Sequence, residues 1–171
     1  MKTLLLLRHA KSSWDDAGLA DFDRPLAPRG LKAAPRMGRE LAWRRWLPDA
    51  ALVSPALRTR QTWELVAAEL PDPPEAKFAK GIYDASADRL LSEIQKAPKT
   101  AGILLVIGHN PGLEDFSGSL ASADSEAAAL ACLREKFPTA ALARFVLDGE
   151  WNEMRPGAAR LTHFLRPGDL R

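Results

Sequence analysis

Arg8 and His9 are the first residues whose types and position could do chemistry. They follow directly on four consecutive leucines, Leu4 to Leu7, a run typical of a strand buried on both faces. Open α/β sheets build their sites at the carboxyl ends of parallel strands, so the pair is expected at such an edge. A guanidinium can bind two phosphate oxygens at once, and a neutral imidazole can attack phosphorus. The pair therefore indicates phosphate chemistry.

A second histidine, His109, stands in a similar place, after the apolar run Ile103–Ile107 and a glycine. Arg58 follows a third apolar segment, Ala50–Val53, near the start of a helix predicted to end at about Leu70. A helix N-terminus favours negative charge, so an arginine there suggests that an anion is bound beside it. All three strand ends are expected at one edge of the sheet. Together they describe an anion pocket that contains a nucleophile.

Each of these residues also has an ordinary interpretation. Arg58 can be a surface arginine, and the histidines can be metal ligands. However, no Asp or Cys stands near His9 or His109 at the spacing of a metal site. The third histidine, His163, alternates with leucines, which indicates a core or interface residue. We therefore expect a phosphate site without a metal.

Length and composition exclude several functional classes. The chain of 171 residues fits one domain, 1–171, and its net charge of +2 is too small to indicate nucleic acid as a partner. The single cysteine, Cys132, excludes an internal disulfide and fits helix packing. No apolar run approaches a membrane span, and the leucines at the start end too early for a secretion signal. We expect a cytoplasmic protein, a monomer or weak dimer, with no membrane partner.

The remaining apolar segments predict an α/β fold with a central sheet. Strands are expected at 2–7, 50–53, 76–79 (at an edge), 100–107, 140–147 and 158–165, and helices at 29–47, 58–70, 87–97 (capped by Ser86), from Pro111, and at 127–136. The last two strands are expected to be joined by a turn around Asp148-Gly149.

The helix predicted at 29–47 has one apolar and one basic face. Its apolar stripe is predicted to comprise Leu31, Ala34, Gly38, Leu41 and Ala42, and Pro35 predicts a kink or a late start. Its outer face carries Arg29, Lys32, Arg36 and Arg39. These cations form either a solvated surface or a docking face for an acidic protein.

Four motifs in order resemble the histidine phosphatase superfamily, the phosphoglycerate-mutase-like proteins, and most of all its SixA-type branch of protein-histidine phosphatases. They are Leu7-Arg8-His9-Ala10-Lys11-Ser12, Arg24-Pro25-Leu26 with Arg29-Gly30, Ser54-Pro55-Ala56-Leu57-Arg58-Thr59-Arg60-Gln61-Thr62, and Gly108-His109-Asn110-Pro111. The resemblance implies a three-layer α/β/α fold with a mostly parallel central sheet.

The resemblance also implies a phosphohistidine mechanism. His9 would be the nucleophile that carries the phosphoryl group. Arg8, Arg58 and His109 would surround the phosphoryl oxygens, with His109 protonated once phosphate is bound. Ser12 and Asn110, in the same motifs, would help to bind the substrate, as would Arg8, Arg58 and His109 themselves. Because cationic donors can neutralise these oxygens, no cofactor and no metal are expected.

The sequence departs from the larger members of the superfamily in one important respect. Those proteins use a carboxylic acid after the second helix to protonate an alcohol leaving group, and no Glu in a clear acid motif stands there. Asp84 is the nearest candidate, although it can simply help to cap the next helix. Asp21 and Asp23 lie in the first loop, from which both can reach the pocket. Asp23 is also a candidate acid, and it can instead pair with Arg24.

Three functions are consistent with these observations. The first is a phosphatase for phosphohistidine on a carrier protein, whose labile P–N bond needs little acid catalysis. The second is a phosphatase for a small phosphate ester, a sugar phosphate or nucleotide, with an Asp as general acid. The third is a phosphate-binding module without catalysis, although binding alone would not need His9.

Overall fold

The computed structural model describes residues 1–170, and its centre is a six-stranded sheet. The strands are β1 (Lys2–Arg8), β2 (Ala50–Val53), β3 (Ala76–Phe78), β4 (Ile103–Gly108), β5 (Leu142–Leu147) and β6 (Arg160–Leu165). They lie in the order β3-β2-β4-β1-β5-β6. The first four pair in parallel, whereas β5 pairs antiparallel with both β1 and β6. The sheet is mostly parallel, as predicted.

Helices cover both faces of this sheet. They are α1 (Pro28–Trp43), α2 (Leu57–Ala67), α3 (Ala87–Gln95), α4 (Gly112–Leu120) and α5 (Ala127–Glu135). Residues of α1 and α2 form one apolar cluster with the sheet, and residues of α3, α4 and α5 form another. This confirms the three-layer α/β/α fold. Within residues 1–170, no helix is long and apolar enough to cross a membrane.

The four leucines of β1 account for its central position. Leu4 and Leu6 belong to the cluster on the α3 side, and Leu5 and Leu7 to the cluster on the α1 side. All four are fully buried, which confirms a strand covered on both faces. Burial of one leucine side chain contributes about 1.5–3 kcal/mol. The strand that carries Arg8 is therefore firmly held.

Helix α1 differs from its prediction in one buried residue and in both ends, and it ends at Trp43, where the sequence predicted residue 47. It begins at Pro28, in the first turn where a proline is tolerated, and continues through Pro35 without a late start. Leu31 was expected in the buried stripe, but it is 47% exposed. Met37 is fully buried in its place. The helix is turned so that Met37 and Leu41 face the sheet, a rotation that an apolar pattern containing several small residues does not determine.

The connection between β5 and β6 follows Leu147, where the sequence predicted a turn around Asp148-Gly149. It runs through residues 148–159, whereas 148–157 was predicted, and it forms a short 3-10 helix, Trp151–Glu153. Trp151 is buried there, and its indole Nε1–H donates a hydrogen bond to the Ala101 carbonyl over 2.9 Å. A single large side chain thus fixes this connection against the sheet.

The sheet brings three strand ends together. Arg8 of β1 lies opposite Gly108 of β4, and the next backbone N–H, of His9, donates to the Gly108 carbonyl over 3.1 Å. Strand β2 ends beside β4, where the Ser54 N–H donates to the Ile107 carbonyl over 3.0 Å. The residues that follow β1, β2 and β4 therefore share one edge, as the sequence predicted.

Gly30, in the first turn of α1, lets that helix approach the loop behind β1. A Cβ atom at this position would overlap the backbone oxygen and nitrogen of Lys11. We expect Gly30→Ala to lower the free energy of unfolding by roughly 1–3 kcal/mol, the usual cost of overpacking. It should also reduce turnover, because Lys11 is two residues from His9. Urea unfolding and a phosphatase assay measure the two effects.

Gly118→Ala on α4 is the matched control, because its Cβ would meet nothing within 4 Å. Alanine there should leave turnover unchanged and stabilise the helix by up to about 1 kcal/mol. Equal stability of the two variants would contradict the proposed close contact at Gly30.

Candidate active site

Two histidines lie next to each other at the carboxyl edge of the sheet. His9 follows β1 and His109 follows β4, and their ring centroids are 5.4 Å apart. Both are buried, at 7% and 4% exposure. The parallel register of the two strands places them side by side, as the sequence predicted.

The hydrogen bonds of His9 determine its tautomer. Its Nδ1 lies 2.7 Å from the Ala10 carbonyl, which can only accept, so Nδ1 carries the proton and Nε2 has a free lone pair. Burial is the main cause that lowers the pKa of His9 to about 4, and the charges of Arg58 and Arg8 act in the same direction. The hydrogen bond to Ala10 opposes this shift. At neutral pH His9 is therefore uncharged, and its Nε2 lone pair is free.

His109 is held by an arginine and a serine. Arg58 Nη2 lies 3.2 Å from His109 Nδ1, and since a guanidinium only donates, Nδ1 accepts. Nε2–H then donates to Ser54 Oγ over 2.7 Å. Burial, with the positive charges nearby, lowers the pKa of His109 to about 3. Protonation of His109 in the presence of phosphate stays a prediction, and it requires the phosphate charge to offset these effects.

Arg58 is almost fully buried and is bound to a carboxylate of the same chain. Its Nη1 donates to the Asp21 backbone carbonyl over 2.7 Å, and its Nη2 donates to Asp21 Oδ2 over 3.0 Å. The anion that the sequence predicted beside Arg58 is thus met by Asp21 in this structure. Both terminal nitrogens of Arg58 already donate to Asp21. A phosphoryl group that binds Arg58 must therefore share these donors with Asp21 or displace it.

Asp21 has two further donors. Tyr83 Oη–H donates to its Oδ2 over 2.6 Å, and Arg24 Nη1 donates to its Oδ1 over 3.0 Å. The hydrogen bond from Tyr83 is the largest cause that lowers the pKa of Asp21 to about 2, and Arg58 adds to it. The same bond raises the pKa of Tyr83 to about 12. Asp21 is therefore ionised at neutral pH and has no proton to donate as an acid.

Arg8 points its guanidinium at the same cavity. Its Nη1 donates to the Phe137 carbonyl over 3.0 Å. Its Nε is buried without a hydrogen-bond partner among the described residues. Burial lowers the pKa of Arg8, with Glu114 acting in the opposite direction. A buried donor without a partner is costly, so it favours an anionic ligand beside Arg8.

The first loop contributes a third arginine to the cavity, and this one is buried. Arg24 is 6% exposed, donates through Nη2 to Ser12 Oγ and through Nε to the Ser13 carbonyl, and lies 3.3 Å from the ring centroid of Trp14. Its ion-pair partner is Asp21, whereas the sequence had suggested Asp23. Ser12, a candidate phosphate ligand, therefore has its hydroxyl engaged by Arg24.

Asn110 is engaged on both sides of its amide. Its Nδ2 donates to the Phe137 carbonyl over 2.9 Å, and its Oδ1 accepts from the Glu114 N–H over 3.2 Å. These bonds join the loop behind β4 to α4 and to the segment before β5. A role of Asn110 in binding the substrate stays a prediction.

The two candidate acids differ in position. Asp84 lines the cavity and is exposed, with a left-handed backbone (φ 50°). Asp23 is exposed and does not line the cavity. Of the two, only Asp84 is placed to act on a bound substrate.

The cavity between these residues has a volume of about 330 Å³. Its lining comprises Arg8, His9, Lys11, Ser12, Trp14, Asp21, Arg24, Arg58, Asp84, His109, Asn110 and Thr139. Four of these side chains are cationic and two are acidic, so the cavity suits an anion. Among residues 1–170, no group of three or more His, Cys, Asp or Glu is placed to hold a metal ion. His163 lies elsewhere, on β6, with its ring against Trp46.

We expect His9 and His109 to stay neutral far below the usual histidine range. Imidazole chemical shifts followed by NMR against pH should place both midpoints well below 6.5, at about 4 and about 3. His9→Gln and His163→Gln variants assign the signals. A His9 midpoint near 6.5 would contradict the burial and charge argument.

Known proteins share both the sequence pattern and the fold. A family model described as the histidine phosphatase superfamily (branch 1) matches residues 4–80. An uncharacterised protein of Mycobacterium tuberculosis is 38% identical over 162 residues, which cover 94% of this chain and 99% of that protein.

Two solved structures resemble the whole chain. A protein proposed to be the phosphohistidine phosphatase SixA of Agrobacterium tumefaciens has a TM-score of 0.81 and 31% identity, covering 97% of this chain and 98% of its own. A protein proposed to be SixA of Nakamurella multipartitia has a TM-score of 0.85 and 28% identity, covering 97% and 96%.

Proposed function

The chain belongs to the histidine phosphatase superfamily, and on this premise we propose that it is a phosphatase that removes the phosphoryl group from phosphohistidine on a protein. One observation carries the proposal. His9, neutral and with its Nε2 lone pair free, faces a cavity lined by Arg8, Arg24 and Arg58. That arrangement supports nucleophilic attack on a phosphoryl group rather than binding alone.

The reaction has two displacements at phosphorus. First, the His9 Nε2 lone pair forms a bond to phosphorus while the bond to the substrate imidazole breaks, and the leaving imidazole takes a proton from solvent. A water molecule then attacks phosphorus while the bond between phosphorus and His9 Nε2 breaks. One proton of that water returns to solvent, inorganic phosphate leaves, and His9 is restored. Phosphoryl transfer depends on positioning and on stabilising charge at the oxygens, which Arg8, Arg58 and His109 would supply.

The leaving group decides between the candidate substrates. An alkoxide is a strong base, so a positioned acid accelerates its departure roughly 10²–10⁴-fold. Asp21 is ionised and has no proton to give, and Asp84 lies exposed at the cavity. An imidazole leaves with a proton far more easily than an alkoxide does. The site therefore favours the P–N bond of phosphohistidine over the P–O bond of an ester.

A second function deserves a test because Asp84 lines the cavity. If Asp84 protonates an alkoxide, the protein is a phosphatase for a small phosphate ester. This alternative uses the same nucleophile and the same cations, and it differs only in the acid.

The experiment compares kcat/KM on three substrates of different leaving group. We expect a phosphohistidine peptide to be hydrolysed at least roughly 100-fold better than the matching phosphoserine peptide, with p-nitrophenyl phosphate between them. Asp84→Asn should change the phosphohistidine rate little, and so should Asp23→Asn, the control outside the cavity. Efficient hydrolysis of an alkyl phosphate that falls about 100-fold in Asp84→Asn alone would assign the protein to the second function.

We also propose that turnover needs no divalent metal, since the cationic side chains can neutralise the phosphoryl oxygens. Activity should persist in EDTA. Full loss in EDTA, restored by adding a divalent cation, would contradict this part of the proposal.

A further inference from the structure

A second, larger cavity adjoins the catalytic one and is strongly basic. Its volume is about 610 Å³, and it lies between the first half of α1 and the segment around residues 166–169. Five cations line it, namely Lys11, Arg29, Lys32, Arg36 and Arg166, together with a single carboxylate, Asp169. We call these six residues and the space between them the basic groove.

Three of the five cations have neither a hydrogen-bond partner nor an ion-pair partner among residues 1–170. Lys11, Arg29 and Lys32 are exposed and make no side-chain hydrogen bond or ion pair with the residues described. Arg166 donates to Asp169 through Nε over 2.9 Å, so the one carboxylate that lines the groove among residues 1–170 is already paired. The groove therefore has an excess of unneutralised positive charge.

The other two basic residues on the outer face of α1, Arg36 and Arg39, already have partners. Arg36 donates to the Leu170 carbonyl over 3.0 Å and so holds the C-terminal segment against the helix. Arg39, the fourth basic residue of the outer face, pairs with Glu69 over 3.2 Å and lies outside the groove. The unpaired charge is thus concentrated on the part of α1 nearest the catalytic cavity.

The groove and the catalytic cavity are continuous. Lys11 and Thr139 line both, and Lys11 is two residues beyond His9. A substrate phosphohistidine bound next to His9 would place the neighbouring residues of the substrate protein over Lys11. Along α1, Arg29 and Arg36 are seven residues apart, which corresponds to about 10 Å. This length matches about three residues of extended chain.

We propose that the basic groove binds an acidic segment of the phosphorylated protein, next to the phosphohistidine that enters the catalytic cavity. This proposal rests on the proposed function. It adds that the groove would select phosphorylated proteins with acidic residues beside the phosphohistidine. Complementary charge at the rim of an interface mainly increases the association rate and fixes orientation. A protein segment fits better than nucleic acid, because the chain as a whole carries a net charge of only +2.

The test uses two synthetic peptides that differ only beside the phosphohistidine. One has four glutamates on that side and the other has four glutamines. Wild-type protein should hydrolyse the glutamate peptide roughly tenfold better in kcat/KM at low salt, and the preference should shrink as salt is added. In the double variant Arg29→Gln/Lys32→Gln the two peptides should be hydrolysed at nearly the same rate.

Two further measurements separate docking from other effects. The control Lys99→Gln/Arg155→Gln removes one lysine and one arginine from exposed positions outside both cavities, and it should keep the preference. Hydrolysis of p-nitrophenyl phosphate, which is too small to reach the groove, should be unchanged in the groove variant.

The outcomes are distinct. Equal rates on the two peptides in wild-type protein overturn the docking proposal but leave the proposed function standing. A loss of preference in the control variant also overturns docking, since net charge would then explain it. Failure to hydrolyse either peptide, with efficient hydrolysis of an alkyl phosphate, overturns the proposed function instead.

Discussion

Replacement of His9 by alanine is expected to reduce turnover of every phosphorylated substrate by at least roughly 10⁴-fold, as loss of a catalytic nucleophile does. The Ala10 carbonyl accepts a hydrogen bond from His9 Nδ1 and so keeps the proton on that nitrogen. The lone pair on His9 Nε2 is therefore free to attack phosphorus. The other histidine, His109, is bound on both ring nitrogens. No neighbouring side chain can therefore take over the attack. Steady-state kcat on a phosphohistidine peptide measures the loss.

The control is His163→Ala, which removes a histidine on β6 that lies outside the catalytic cavity. This variant should keep the wild-type kcat. His9→Ala itself should remain folded by circular dichroism and should still bind inorganic phosphate, because the arginines are unchanged. A His9→Ala protein that turns over at the wild-type rate would refute the assignment of the nucleophile.

Replacement of Arg58 by alanine has the second largest expected effect. Removal of one strong donor to a developing oxyanion costs roughly 10²–10³-fold in kcat. Arg58 also balances Asp21 and donates to His109 Nδ1, so its loss leaves a carboxylate in the cavity without that partner. The negative charge would repel the phosphoryl group. We therefore expect KM to rise as well as kcat to fall.

A double variant separates these two contributions. In Arg58→Ala/Asp21→Asn the carboxylate is neutral, so KM should recover while kcat stays low. Arg60→Ala is the matched control, because Arg60 is exposed and its side chain donates to the Pro55 carbonyl, outside the cavity. An Arg58→Ala protein with kcat within threefold of wild type would show that Arg58 does not stabilise the transition state.

The parts of the site that lie at strand ends could be predicted from the sequence. Arg8, His9 and His109 each follow an apolar run, and parallel strands align their carboxyl ends at one edge. Arg58 was identifiable because a cation at a helix N-terminus is unfavourable without an anion. In each case a local pattern was enough, since the sheet itself supplies the long-range arrangement.

The loop residues could not be predicted in the same way. The contacts of Asp21 with Arg58 and Tyr83 join positions far apart in the chain, and no periodic pattern encodes how a loop folds over a cavity. Arg24 stood in a recognisable motif, Arg24-Pro25-Leu26, but the sequence suggested only Asp23 as an ion-pair partner, and the structure pairs Arg24 with Asp21. The loop's 3-10 turn, Asp21–Asp23, decides which of the two carboxylates faces the cavity.

Which cations on the basic face of α1 are paired could not be predicted from the sequence either. Its four cations are evident in the sequence, but only the structure separates Arg29 and Lys32, which have no partner among the described residues, from Arg39, which is paired with Glu69. The contribution of Arg166, from the other end of the chain, depends on how the last residues pack against the helix. Burial of Met37 instead of Leu31 sets the rotation of α1 that presents these cations.

The most direct measurement is the location of the phosphoryl group during turnover. The protein is mixed with a phosphohistidine peptide, quenched in alkali within milliseconds, digested and analysed by mass spectrometry. The proposed mechanism predicts phosphohistidine at His9, formed before inorganic phosphate is released and absent from His9→Ala. Turnover with no phosphorylated intermediate, or with the phosphoryl group on a residue other than His9, would contradict it.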